Sequence, residues 1–203
     1  GEGYVWMAHC GNCGRDNCGL VTRFLADDGS GVQYFPLPTG NGTIGVDLAS
    51  GRKRWSEKRG TKGLAADDEH VYIIPSTWHT KHGSLARMKA QDGSPAPFVR
   101  DGKALPFEYP IAKILGDNHP AFVALACGGK SLFLGLEDGS VAEIDKSNAT
   151  LIKRHAVGAD VRAKAEKGHH HGPGGDRMPL AASKDGKSVF FMKKGKLTQY
   201  GLS

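Results

Sequence analysis

The sequence predicts an all-β chain assembled from repeated, hairpin-rich units, and three observations point there. Glycine is abundant, 29 of 203 residues beside 10 prolines and without a period of three, which asks for many tight turns and fits neither a helical nor a collagen-like chain. Short runs of β-branched and aromatic residues alternate with Asp/Gly/Lys turns, the pattern of β-hairpins. Four stretches also align with one another: FLADDGSGVQYF (24–35), GLAADDEHVYII (63–74), VALACGGKSLFL (123–134) and PLAASKDGKSVFF (179–191).

Each stretch reads as strand, polar turn, strand. A glycine and a third strand follow: GTIGVDLASG (42–51), GSLARMKAQDG (83–93), GSVAEIDKSNA (139–149) and GKLTQYGLS (195–203). In the first three units RKRW (52–55), PAPFV (95–99) and LIKRHAV (151–157) supply a fourth strand, whereas the last unit stops after its third. Four antiparallel strands in a meander make one blade of a β-propeller. The expected blades are therefore 20–55, 63–99, 122–157 and 178–203, in a single domain spanning 1–203.

The aligned rings Tyr34, Tyr72, Phe133 and Phe190 recur at intervals of 38, 61 and 57 residues. The last two exceed a blade of about 40–50 residues, so the excess is assigned to two insertions between blades, 101–120 and 158–178. Within the second, 159–167 has enough Ala, Lys and Glu for a helical turn or two. Tyr4–Ala8, within 1–9, reads as a spare strand. Either it completes the last blade and closes a four-bladed ring, or the chain is part of a larger propeller.

GVDLASGRKRW (45–55) resembles the repeat of pyrroloquinoline-quinone-type propellers, in which a strand ending in Asp and a Ser/Thr-Gly turn leads to a docking Trp. The resemblance extends to the broader PQQ-like and NHL-like propeller superfamily. It implies that Asp47, Ser50, Gly51 and Trp55 tie one blade to the next, with Trp55 stacking across the interface and Asp47 bonding the turn. Later units depart from the pattern: 83–98 has Phe98 where Trp would stand, and 139–154 retains Asp145 without the glycine or the aromatic ring. The family's quinoprotein enzymes carry adjacent cysteines over the cofactor, and this sequence has no such pair.

AHCGNCGRDNCG (8–19) is the sharpest chemical feature. His9, Cys10, Cys13 and Cys18 offer one imidazole and three thiolates on a glycine-rich loop, a set able to wrap Zn²⁺; the same cysteines suit a disulfide-stapled loop in an exported protein. Cys127 is expected as a buried thiol or as the partner of a loop cysteine. GHHHGPGG (168–175) places His169, His170 and His171 in the second insertion, where imidazoles could ligate Cu or Zn or stand solvated. His79, His82 and His119 are further isolated candidates. The pairs Asp27/Asp28 and Asp67/Asp68 fall in the repeated turn and read as hairpin chemistry.

No G-x-S-x-G elbow, H-E-x-x-H helix or phosphate loop occurs. The longest apolar stretches, such as Ala121–Cys127, are far below the roughly 18 residues of a membrane span, so none is expected. The chain opens Gly-Glu-Gly-Tyr without the basic and apolar regions of a signal peptide, so any export signal is expected to have been removed. The formal charge of +6 includes a basic stretch at 51–62, expected as a solvated edge or a contact for acidic glycans or a partner protein. Nucleic acid is not the expected partner, because Trp55 is assigned to packing and no aromatic rings interleave the charges.

The function these features support is a non-catalytic binding or assembly module of an exported bacterial protein, periplasmic or extracellular. It would hold a ligand, a partner protein or the rest of a larger chain on its loop face. The alternatives are a metal-dependent propeller oxidoreductase or lyase using loop histidines, and a Cys/His metal-binding redox protein.

Overall fold

The computed structural model describes residues 4–9, 20–25, 33–36, 43–46, 52–57, 61–75, 83–161 and 180–202. β1 (Tyr4–His9), β2 (Leu20–Leu25) and β3 (Gln33–Pro36) form an antiparallel sheet in that order, and β4 (Thr43–Val46) pairs with β5 (Lys53–Glu57) in a separate ladder. β6 (Thr61–Ala66), β7 (His70–Pro75) and β8 (Ser84–Lys89) make a meander. The chain then forms a small hairpin, β9 (Val99–Arg100) with β10 (Lys103–Ala104), before β11 (Tyr109–Pro110) returns to the outer edge of β8 and α1 (Ala112–Leu115) follows. β12 (Phe122–Gly128), β13 (Ser131–Leu136), β14 (Val141–Asp145) and β15 (Leu151–His155) form an uninterrupted four-stranded meander. β16 (Leu180–Ala182), β17 (Ser188–Lys193) and β18 (Lys196–Gly201) form the last sheet.

The turns follow from a recurring Asp-Gly-Ser. At Asp92-Gly93-Ser94 and Asp138-Gly139-Ser140 the carboxylate accepts the backbone N–H two residues on, at 2.8 and 3.0 Å, and the glycine takes a φ of 71° or 76° that a side chain would resist. Asp145 with Ser147 and Asn148 with Thr150 repeat the bond, so the β14–β15 connection is two such turns in succession.

Strand alternation then builds a stack. Tyr72, Ile74 and Leu85 of one sheet meet Leu132, Leu134, Leu136 and Ile144 of the next, and the opposite faces carry Val71, Ile73, Ala86 and Met88 toward Trp55 and Phe133 and Val141 toward Val189 and Phe191. Each central sheet is thus apolar on both faces, which is why β13, SLFLGL, is buried at every position. Each fully buried Leu, Ile or Phe contributes roughly 1.5–3 kcal/mol against the chain entropy. β6, β12 and β16, the first strands of their sheets, lie side by side. The molecule is all-β in this sense, and among the described residues the sheets do not close into a ring.

The grouping of strands differs from the expectation in four places. Residues 20–55 divide between two ladders, and β1 pairs with β2 rather than with the last sheet. The fourth strand expected at 95–99 is split. Pro95 bridges Met88 and Ala96 donates to the Arg87 carbonyl, but Pro95 and Pro97 lack donors, Phe98 leaves the edge for the core, and Tyr109–Pro110 completes the edge of β8. The insertion 101–120 is therefore part of the structure, since Ile111 and Ile114 lie buried between the sheet of β6–β8 and β11 and that of β12–β15, the second and third of the larger sheets in chain order. The α-helix among the described residues is α1 in this insertion. Ala159–Val161 are irregular, with Ala159 donating to the Gly139 carbonyl at 2.9 Å, and the rest of the expected helix lies outside the described residues.

Candidate binding surface

Most described ionisable and aromatic groups between sheets are engaged in holding the stack. Trp55 is buried, donates from Nε1 to the Ala90 carbonyl at 2.9 Å, and packs so tightly on Gly45 and Gly93 that a Cβ at either would overlap the indole. At the next interface the Asp67 carboxylate accepts the N–H groups of Glu69 and His70 at 3.0 and 2.8 Å, the Tyr72 hydroxyl at 3.1 Å, and Lys146 Nζ at 2.7 Å from the neighbouring sheet. Burial works to raise the Asp67 carboxyl, but Lys146 and the two backbone donors outweigh it and hold it below its ordinary value. The same burial, with Asp67 alongside, pushes the Tyr72 hydroxyl up. Arg87 joins these sheets too, donating to the carbonyls of Ala96, Pro97 and Lys146 while lying over the Phe98 ring.

The third and last sheets are joined by backbone and by a polar cluster. Gly128 and Gly129 lie against the turn 183–186, where Gly129 N–H donates to the Lys184 carbonyl at 2.8 Å and a Cβ on Gly128 would overlap the Ser183 carbonyl oxygen. Ser131 Oγ donates to one Glu143 oxygen at 2.8 Å, the buried His155 Nε2–H donates to the other at 2.9 Å, and the His155 ring meets Tyr200 edge-on at 5.9 Å. The carboxylate stands between hydroxyl and imidazole, so neither nitrogen of His155 receives the serine proton, and the cluster positions strands rather than activating a nucleophile. Reading the sequence missed this set, because a Glu and a His twelve residues apart meet only once the β14–β15 register is known.

Of the residues singled out from sequence, the structure describes few. His9 ends β1, paired with Leu20, with no side-chain environment described. Cys10, Cys13, Cys18, Asp47, Ser50, Gly51, His79, His82, His169, His170 and His171 lie outside the described residues. His119 is buried and donates from Nδ1 to the Pro120 carbonyl at 2.7 Å. Cys127 is a free thiol donating to the Ala66 carbonyl; burial first, and Asp67 second, push it up to about 11, which disfavours the thiolate. Among the described residues no group of three or more His, Cys, Asp or Glu gathers as a metal site.

Among the described residues six large apolar side chains are exposed: Leu64 on β6, Val99 on β9, and four on the outermost strands of the last two sheets. Leu151 and Ile152 on β15 are exposed, Ile152 by 53% at a bulge in the β14–β15 register; Leu197 and Tyr200 on β18 are exposed by 74% and 38%. These two strands belong to neighbouring sheets that meet at His155 and Tyr200. Lys187, Lys194 and Lys196, beside or on β18, are exposed as well, so this strand carries apolar side chains and positive charge together. No helix among the described residues is long and apolar enough to cross a membrane.

No protein-family model and no curated protein matches the sequence. Solved structures do resemble the fold. The complex of KlAtg21 with the coiled-coil of AgAtg16 aligns with a TM-score of 0.51 at 8% identity, covering 95% of this chain and 61% of that one. The Neurospora crassa Pan2 WD40 domain gives a TM-score of 0.47 at 10% identity, covering 98% and 59%. The computationally designed Ika4 protein gives 0.45 at 15% identity, covering 91% and 86%. The chain thus spans about three-fifths of the first two, and the likeness at a TM-score of 0.51 concerns the fold alone, without singling out the quinoprotein-type repeat expected from Gly45–Trp55.

Proposed function

We propose that the chain is a non-catalytic, β-propeller-type binding module that holds a protein partner. The observation that carries this reading is that four of the six exposed large apolar side chains among the described residues, Leu151, Ile152, Leu197 and Tyr200, lie on the outer strands of two neighbouring sheets, the other two being Leu64 and Val99. Water-exposed apolar groups gathered with positive charge cost solvation unless a partner covers them. Stacked sheets suit such a role, since the interior carries the stability and leaves the outer strands free to vary.

The test is recovery of a partner by the tagged chain from its source cells, beside an Ile152→Asp/Leu197→Asp variant whose circular dichroism and melting match wild type. One stoichiometric protein, cross-linked to Lys194 or Lys196 and lost from the variant, is the expected result. Equal recovery by both chains would contradict the reading. So would stoichiometric zinc or copper accompanied by turnover that His169→Ala abolishes.

A further inference from the structure

We propose that the outer edge of β18 is the docking site for an extended, acidic segment of a partner protein, which adds to the last sheet as its fourth strand. This rests on the partner-binding reading above and specifies how the partner is held. The second and third sheets each carry four strands, with β11 and β15 beyond the third strand of the meander; the last sheet ends at β18 among the described residues.

The hydrogen-bond phase leaves that edge ready for pairing. Lys194 and Gly195, at φ 50° and 71°, form a two-residue turn that closes on the pair Lys193–Lys196, and at the other end Leu202 N–H donates to the Lys187 carbonyl at 2.8 Å. Bonded pairs alternate along an antiparallel ladder. Thr198 and Tyr200 therefore bond inward to β17, and the peptide groups of Leu197, Gln199 and Gly201 point outward. An incoming strand would bond to those three and cover Leu197 and Tyr200.

Charge selects the occupant. Lys194 and Lys196 lie exposed at the turn end of the edge, and exposed Lys187, whose carbonyl takes the Leu202 N–H, stands beside the other end, while Lys193 is turned to the Val157 carbonyl. Two carboxylates stand near the same strand, Asp160 accepting the Gly195 N–H and Asp185 accepting the Lys187 N–H and the Ser183 hydroxyl, and the three lysines outnumber them. Lysines on an exposed edge repel a second copy of the same edge and attract an acidic strand.

The experiment is amide hydrogen exchange on the full chain, alone and with a twelve-residue peptide of alternating Val and Glu. With peptide, Leu197, Gln199 and Gly201 should exchange at least tenfold more slowly while Thr198 and Tyr200 change little. Gln199→Pro removes an outward N–H and leaves the backbone β17–β18 bonds in place; it also removes the Gln199 Nε2 bond to Ser188 Oγ of β17, which Gln199→Ala removes alone and which should leave the protection intact. Lys194→Glu/Lys196→Glu reverses the charge; Gln199→Pro and the charge reversal should each abolish the protection. Equal protection by an alternating Val/Lys peptide overturns the acidic assignment. Protection of all three amides in the free chain gives the edge to a strand of this chain such as β1, and protection that grows with protein concentration gives it to a second copy; either result overturns the proposal. If Gln199→Pro leaves recovery of a cellular partner intact, edge docking fails while the partner-binding reading stands.

Discussion

β14 and β18 hold the same place, each the third strand of a meander, and differ in nearly everything else. Val141, Ala142 and Ile144 of β14 are buried, whereas five of the six residues of β18 are exposed. β14 is flanked by β13 and β15 and has a sheet against each face; β18 is flanked by β17, and its described cover is the third sheet, where Tyr200 meets His155. Both strands alternate side chains in the same way. Burial in this architecture is therefore conferred by neighbours, and an outer position leaves apolar groups available to a partner.

The largest effects should come from the packed side of that contrast. Trp55→Ala and Phe133→Ala should each cost about 3–5 kcal/mol in urea unfolding, because the ring's burial is lost and a cavity is left between sheets. A loss below about 1 kcal/mol, typical of a surface position, would contradict the stacking. Gly128→Ala should follow at about 1–3 kcal/mol, since the added methyl meets a fixed carbonyl of the neighbouring turn. Limited proteolysis of that variant should release the last sheet first, and cleavage elsewhere would mean that the turn contact does not secure it.

Asp67 sharpens the contrast through pH. Its folded carboxyl is depressed, so the stabilisation is present above the unfolded value near 3.9 and disappears as pH falls through the folded value. Asp67→Asn should cost about 1–2 kcal/mol at pH 7, with wild type and variant converging as pH falls through the depressed folded value. A constant gap from pH 7 to acid would show that the charge contributes nothing. Leu197→Ala should be the smallest effect, under about 0.5 kcal/mol, because that side chain is already in water in the free chain. A larger loss would mean that β18 is covered.

The third sheet was the most legible in the sequence. Its apolar alternation, Asp-Gly-Ser turn and short connections place β12–β15 almost where they are found. β11 was not legible, because two residues ending in proline carry no periodicity and their pairing depends on where the long insertion returns. The partner of β1 was also hidden: an alternating strand states which faces are apolar but not which edge it joins. For the candidate surface, KLTQYG reads like any third strand, and its exposure comes from what lies beside it. The Glu143–His155 pair likewise exists only through register.

Amide hydrogen exchange along β14 and β18 of the free chain is the most direct measurement of whether these equivalent strands differ as described. The expected result is slow exchange at Ala142 and Ile144, slow exchange at Thr198 and Tyr200, and fast exchange at Leu197, Gln199 and Gly201. Uniformly slow exchange along β18 would show that its outer edge is already paired and would contradict the open last sheet.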